Sequence, residues 1–518
     1  MRTETLTAEV VVIGGGGAGL VAALEARRAG AEVLLLNKTS LGKSSCTSLS
    51  FGAFRVANTV ASREEHFTQT LMAGKFLNDQ KLLQILVDQA FDRVRSLEEY
   101  GVPLLFEDPY FYILGDAPFY GLKMTTPLQK AATERGITSI SHTVALDLLK
   151  VNNTVCGVLA YDFSQDALLV ISARAIILAT GGAGVLYPLH DNSARTTGDG
   201  FALAARAGAL LRDMEFVQFY PLGLVEGGIF RCIVPPFLAD SAPIRNAQGE
   251  NILVKYGIEE RLAAVKARDA LCQAMFREIL AGRGFGSYLE IDLTRVPEED
   301  WHQNRQLRHY KKILQEKYRG LDRPLKIAPV CHHFMGGVVI DETSRTNLPG
   351  LFAAGEVTGG LHGANRMGGN ALSECIVFGA LAGREASQYA SRTRAHSFEK
   401  GIIQKREKQI LLWRERSPNS SRSPREFKKR LAEIMFAKAG IIRKGEQLEQ
   451  ARREVESLAE QAQTSIGCQN AKDVLQVIEV INLITTSRLV LHGALRRTES
   501  RGSHYREDYP ETDDRRWR

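Results

Sequence analysis

Nowhere in the 518-residue chain do two cysteines stand in a CxxC spacing; Cys46, Cys156, Cys232, Cys272, Cys331, Cys375 and Cys468 are scattered singly. That excludes a thiolate zinc site and a thiolate-held iron–sulfur cluster, so no metal site is expected, and the odd, dispersed set fits a reducing compartment. Long apolar runs are missing too. The longest, Val10 to Leu24, contains five glycines, and a membrane helix needs about 20 apolar residues. With no basic leader ahead of it, a cytoplasmic protein without a membrane span of its own is expected. Charge of one sign is scarce: 66 basic residues against 59 acidic ones leave a net +7, a small imbalance for this length that does not suit a nucleic-acid binder. What is present is ordinary for globular enzymes, with 44% hydrophobic and 24% charged residues and no repeats or low-complexity segments. The length exceeds what one core fills, so two or three domains are expected.

The first informative pattern is a strand, Glu9 to Ile13, a glycine turn, a helix, Leu20 to Arg28, and a second strand, Glu32 to Leu36. Two further buried-strand signals follow far downstream: Ala175 to Ala179 runs into Thr180-Gly181-Gly182, and Leu351 to Ala354 runs into Gly355-Glu356. A dinucleotide-type α/β domain built from separated stretches is expected. Residues 225–329 differ in character, with a long amphipathic helix around Glu260 to Leu280 and then a polar stretch, and read as an inserted cap. Beyond Arg394 the chain turns helical, with Leu448, Ala451, Val455 and Leu458 at helical spacing and a breaker-rich loop from Ser417 to Pro424. The expected organisation is a Rossmann-like FAD-binding domain from residues 1–224 and 330–393, an α+β capping domain at 225–329, and a C-terminal helical bundle at 394–518.

Gly14, Gly16 and Gly19 form GxGxxG between a strand and a helix. The first permits the turn, the second admits a pyrophosphate, and the third lets helix meet strand, with backbone N–H groups facing the diphosphate. The ribose-binding acid expected at the end of the second strand is replaced by Asn37 and Lys38, of which Asn37 can still accept a hydroxyl. ATGGAG (Ala179 to Gly184), TTGDG (Thr196 to Gly200) and AAGEV (Ala353 to Val357) point to FAD rather than NAD.

MEFVQFYP (Met214 to Pro221), HHFMGG (His332 to Gly337), HGANRMGGNALSE (His362 to Glu374) and ESRGSHYREDYPETDD (Glu499 to Asp514) resemble the flavoprotein subunits of fumarate reductase and succinate dehydrogenase, a family that also includes L-aspartate oxidase. The resemblance runs nearly end to end. It implies FAD held by Gly14, Gly15, Gly16, Gly17, Ala18 and Gly19, by Asn37 and Lys38, by Ser45, Cys46, Thr47 and Gly52, by Thr180 and Gly181, by Asp199 and Glu356, and by the turn carrying Arg366, Gly369, Asn370, Ala371 and Leu372. The bland alternative for Asp199 and Glu356 is helix capping.

The implied chemistry is hydride transfer between FAD and a C=C bond conjugated to a carboxylate. Such a site must clamp the carboxylate, stabilise the developing enolate-like charge and hold a proton donor. By resemblance, Arg366 and His332 bind and polarise the substrate carboxylate and Arg268 donates the proton; otherwise Arg268 would form a surface salt bridge to Asp269 or Glu259. The departures matter equally. Cys46 stands where the family carries its covalent flavin histidine, which implies noncovalent FAD, with a cysteinyl thioether the alternative, and, with a lower flavin potential, reduction of an acceptor. Tyr220 and Leu222 replace a histidine and a threonine, so the substrate contact at Tyr220 is altered. Val234 and Pro235 replace the Thr-Glu pair that would supply a carboxylate contact and the proton relay, with Asp240 the nearest substitute. An apolar wall of Val234, Pro235, Pro236 and Phe237 would make a substituted acrylate a rival substrate to plain fumarate.

A small carboxylic acid and an iron–sulfur partner subunit, docking near the C-terminal string, are the expected partners, which could also hold the chain at the inner face of a membrane. An amino-acid oxidase of the L-aspartate oxidase kind and an electron relay without substrate chemistry are the competing readings.

Overall fold

The computed structural model describes residues 1–115, 120–226, 229–259, 261–302, 305–318, 321–394, 401–416 and 422–518. Glu260 and residues 417–421, which figure in the expected cap helix and breaker-rich loop, lie outside the described residues.

The first strand, Arg2–Ile13, is the spine of a seven-stranded sheet. Val33–Leu36 pairs with it in parallel on one side and Ala167–Leu178 on the other; Thr138–Ile140 extends the sheet beyond Val33–Leu36. These strands are covered on both faces, which is why VVVI, VLLL and AIIL read as continuous apolar runs instead of alternating ones. The strand anticipated at Ala175 to Ala179 is only the end of a longer one. Its first half pairs antiparallel with Thr154–Asp162, whose other neighbour is Thr143–Val151, and its last residues pair in parallel with Leu351–Ala353. Helices Gly17–Arg28 and Asn370–Arg392 pack on each other, so the glycine turn and the start of Asn370–Arg392 belong to one end of the domain.

A second, five-stranded antiparallel sheet runs in the order Ile229–Ile233, Val217–Glu226, Leu325–Phe334, Leu289–Ile291, Ile244–Arg245. It carries a separate apolar core that includes Tyr220, Val234, Leu271, Trp301 and Val330. Its two long strands run from this core back to the main one, and they deliver Tyr220 and His332 to the boundary. The single long helix expected around Glu260 to Leu280 is instead a short turn, Ala263–Lys266, followed by the helix Arg268–Leu280. Leu262, in the left-handed region at φ 59°, breaks the helical path just before. A second break, at Ala267 with φ -111° and ψ 30°, places Arg268 in the first turn of its helix instead of the middle.

The C-terminal helices Pro424–Ala439, Gly445–Ser465 and Ala471–Arg496 pack together, with Leu448, Ala451, Val455 and Leu458 buried as their spacing predicts. Ala471–Arg496 is long and apolar enough to cross a membrane by length and composition, with a mean hydropathy of 1.6, yet 72% of that stretch is buried inside the molecule. It packs on the helix Asp199–Ala207 and sends the buried polar residues Glu479 and Asn482 toward the nucleotide end of the main sheet.

Candidate active site

The three fingerprint glycines separate by function. Gly14 takes φ 114°, and a Cβ on Gly19 would lie 1.8 Å from the Gly14 carbonyl oxygen, so turn and packing account for both. A Cβ on Gly16 would meet only Ser45 and Thr47 at ordinary distances of 3.6 Å and more. Packing does not require glycine there, which is what a position kept clear for a diphosphate looks like. The helix Gly17–Arg28 has no acid in its first turn and no cap from Gly16, and with its Gly17 N–H taken by Thr47 the rest of its positive end suits an anion.

Around this turn, Asn37 accepts the Gly15 N–H at 3.2 Å, and the Ser45 side chain caps the short helix Cys46–Leu49. Thr47 Oγ1 accepts the Gly17 N–H at 3.1 Å, while Cys46 Sγ lies 3.4 Å from Thr196 Oγ1 with its thiol pushed up to about 12 by burial. Thr180 Oγ1 is buried without a hydrogen-bond partner, and Gly181 and Gly52 take φ 72° and 71°. Neither acid caps a helix. Asp199 accepts bonds from Lys38, Thr197 and Asn482, and Glu356 accepts the Phe334 N–H at 3.1 Å, with burial raising its carboxyl to about 7. Lys38 is paired with both Asp199 and Glu479, at 2.7 and 3.1 Å. At the far end, Asn370 is anchored by His66 at 2.8 Å and by Thr70, and the following helix again begins with no acid and no cap beside Ala371 and Leu372.

Arg366, His332, Tyr220 and Arg268 meet although they come from separate elements. One Arg366 nitrogen, Nη2, donates to Gln218 Oε1 at 3.0 Å and contacts His332 Nε2 at 2.7 Å; His332 Nδ1 contacts Asp191 at 2.6 Å. A guanidinium has only donors, so His332 Nε2 accepts and Nδ1 carries the proton that goes to Asp191. Burial lowers the His332 pKa against the pull of Asp191, consistent with that neutral tautomer. Arg366 Nε and Arg268 Nη1 are buried without partners, and among the described residues neither arginine forms an ion pair. Burial, with Arg268 adding repulsion, pulls Arg366 down to about 9. A salt bridge from Arg268 to Asp269 or Glu259 is therefore not what the chain builds: Arg268 is 6% exposed, and its guanidinium carbon lies 5.8 Å from the Tyr220 ring centroid.

Tyr220 donates its hydroxyl to the Val234 carbonyl at 2.7 Å, so it presents its ring, not its OH, between Arg268 and His332. Val234 and Pro235 are buried, but Phe237 is 41% exposed and leaves the expected apolar wall shorter than four residues. Asp240 does not replace the missing relay. Both its oxygens accept the Leu262 N–H at 2.8 Å, fastening the loop before Arg268.

Four participants are not among the site residues expected from the sequence. Gln218 and Asn365 bond to each other; Gln218 supports Arg366, and Asn365 donates to Asp269 at 2.5 Å. Gln218 and Asn365 stand inside strings that carry the resemblance and Asp269 directly follows Arg268, which is the signal that could have found them. The fourth, Asp191, lies in no such string. Behind the arginines, His333, His362 and Glu374 offer ligand atoms within 4.8 Å of one another and could hold a metal, although Glu374 already accepts from His362 and Thr358.

Residues 9–372 match the FAD binding domain family and residues 428–518 the fumarate reductase flavoprotein C-terminal family. A fumarate reductase (CoM/CoB) subunit of Methanothermobacter marburgensis is 36% identical over 99% of this chain and 96% of its own. The fumarate reductase flavoprotein subunit of Mycobacterium tuberculosis strain H37Rv is 32% identical over 98% of this chain and 92% of its own. Among solved structures, a point variant of the E. coli quinol fumarate reductase flavoprotein FrdA superposes with a TM-score of 0.87 at 28% identity, covering 100% of this chain and 94% of that one.

Proposed function

Because this chain belongs to the fumarate reductase and succinate dehydrogenase flavoprotein family, and is thereby an FAD-dependent oxidoreductase acting on CH–CH bonds, we propose that it reduces the C=C bond of an enoate whose far end is apolar. The observation that carries this reading is the pair of buried, unpaired arginines. Holding two such cations side by side costs several kcal/mol unless an anion offsets them, and Arg366 with neutral His332 forms a donor set aimed at one carboxylate.

The residues present fit FAD: the cleared position at Gly16, two helix starts without an acid or an N-cap side chain and the orphaned Thr180 hydroxyl all suit a dinucleotide. FAD, when bound, supplies the hydride. This chain's side chains do the rest. Arg366 binds and orients the carboxylate, with Gln218 and His332 fixing its guanidinium plane. Arg268 Nη1 holds a proton for the carbon next to that carboxylate, and Tyr220, whose hydroxyl is occupied, supports the cation without competing for the proton. Val234 and Pro235 offer no donor to a second carboxylate, which is why an apolar substituent is preferred here. Fumarate itself is the second reading, favoured by the 36% identical relative named for it.

In an anaerobic assay, dye-reduced flavin should be reoxidised faster by cinnamate-like or alkyl-substituted acrylates than by fumarate. The reverse order would give the second reading; hydrogen peroxide formed with aspartate would mean an oxidase; flavin indifferent to every acid would mean a relay. Cys46 is a half-buried thiol with a raised pKa in the place of a flavin-linking histidine, which supports noncovalent FAD. Acid precipitation should accordingly leave the flavin in the supernatant, and flavin retained in the pellet would refute that. Electrons would come from an iron–sulfur partner subunit seated near the exposed residues 507–512, as the naming of the Methanothermobacter relative as one subunit of a reductase supports.

A further inference from the structure

An arginine that gives its proton to carbon must be resupplied in every turnover, because a neutral guanidine is far from its stable state. The relay pair is absent at Val234 and Pro235, so the supply has to come from elsewhere. Most carboxylates around the site are taken. Asp240 is bound through both oxygens to the Leu262 N–H, Asp191 is shared by His332 and Asn192, and Glu374 by His362 and Thr358. Glu356 accepts the Phe334 N–H and lies beside His333.

Asp269 differs from all of these. It follows Arg268 in the first turn of the same helix, is half-buried, and gives one oxygen to Asn365 Nδ2 at 2.5 Å. Among the described residues no hydrogen bond occupies its other oxygen, and no ion pair joins it to Arg268, so a bridging water is needed to connect the two. We propose that Asp269 resupplies Arg268: solvent protonates the Asp269 carboxyl, and one bridging water passes the proton to the guanidinium as Arg268 Nη1 releases its own to the α carbon. Each turnover then consumes one solvent proton by this route and one hydride, delivered from reduced FAD to the β carbon, and the C=C bond becomes CH–CH. This rests on the enoate reductase reading above.

The surroundings suit a proton carrier. Burial raises the Asp269 carboxyl to about 6, opposed by Arg268, by exposed Lys75 and by the Asn365 bond. Cys272, one turn on, is a buried neutral thiol. The Lys75 carbonyl is held by Arg501, which fixes the loop facing Asp269.

The test uses the FAD-loaded chain and the best acrylate of the panel, following reoxidation against pH. A carboxyl donor is active when protonated, so the wild-type rate should fall as pH rises through about 6. Asp269→Asn should lower the rate by about 100-fold and abolish that limb, and Asp269→Glu should restore much of it. Lys75→Met, at an exposed position, removes a cation that favours the carboxylate and should move the limb to higher pH even if Asp269→Asn folds poorly. Infrared difference titration should show a protonated carboxyl band that disappears in Asp269→Asn. An Asp269→Asn enzyme that keeps both rate and limb, or a limb unmoved in Lys75→Met, overturns the proposal while leaving the reductase reading intact. A wild-type protein that reduces no enoate removes both.

Discussion

Replacing Arg268 with glutamine is expected to slow reoxidation of reduced flavin by the substrate by about 1,000-fold, with a much smaller loss of substrate affinity and no change in flavin content. In the proposed site the carboxylate would be held by Arg366 and His332, whose bonds to Gln218 and Asp191 do not pass through Arg268, so most of the binding should survive. What disappears is the proton at Nη1, which has no other use in the site. Glutamine, two bonds shorter, keeps a neutral donor but cannot release a proton at neutral pH, so it removes the proton supply while retaining a hydrogen-bond donor. Lysine would carry charge, yet its single ammonium cannot keep the planar approach over Tyr220 while facing the substrate. The measurement is single-turnover reoxidation at saturating acid. A loss confined to KM would mean that Arg268 serves to bind substrate, and equal rates would exclude it from the chemistry.

Much of the fold is legible in the sequence because its causes are local. Gly14 and Gly19 follow from a turn and a helix–strand contact a few residues apart, and buried parallel strands announce themselves as apolar runs. The arginine, histidine and cofactor positions are legible through the strings that surround them. The rest depends on pairings that no window along the chain contains. Gln218 and Asn365 are 147 positions apart, and Asp191 and His332 are 141 apart. That Tyr220 turns its hydroxyl to Val234 follows from neighbouring strands of the cap sheet, not from either residue's identity. The resemblance assigns Phe237 to the pocket wall, but it stands just before the short helix Leu238–Ser241 and is exposed. Asp240 is close in sequence to the lost relay, but the left-handed Leu262 it fastens has no signature in the residues. The late start of the cap helix, set by Ala267, is equally unmarked, and it puts Arg268 and Asp269 at a helix N-terminus.

Removing the carboxylate of Glu499 should destabilise the C-terminal segment by about 3–5 kcal/mol, the largest stability effect expected from a single side chain here. Glu499 is fully buried. Its oxygens accept from Arg497 Nη1, Arg501 Nε and Arg501 Nη2, each at 2.9 Å, and from the Asp513 N–H at 2.8 Å. Arg497 is also paired with Glu215 at 2.5 Å, which ties the tail to the loop before the Val217–Glu226 strand. In Glu499→Ala, Arg501 would keep only the more exposed Asp514, and Arg497 would keep Glu215 with distant Asp213, leaving excess buried positive charge. Glu499→Gln keeps the volume and some acceptors and should lose less. Urea unfolding compares the variants, and hydrogen exchange reads the backbone bonds Ser500 N–H to Glu511 and Arg501 N–H to His504 directly. The same tail presents residues 507–512 to solvent, so loosening it should also weaken capture of the proposed iron–sulfur partner while leaving dye-driven turnover in place. Unchanged stability would mean that the two arginines are satisfied by their remaining carboxylates and that Glu499 only shapes the turn.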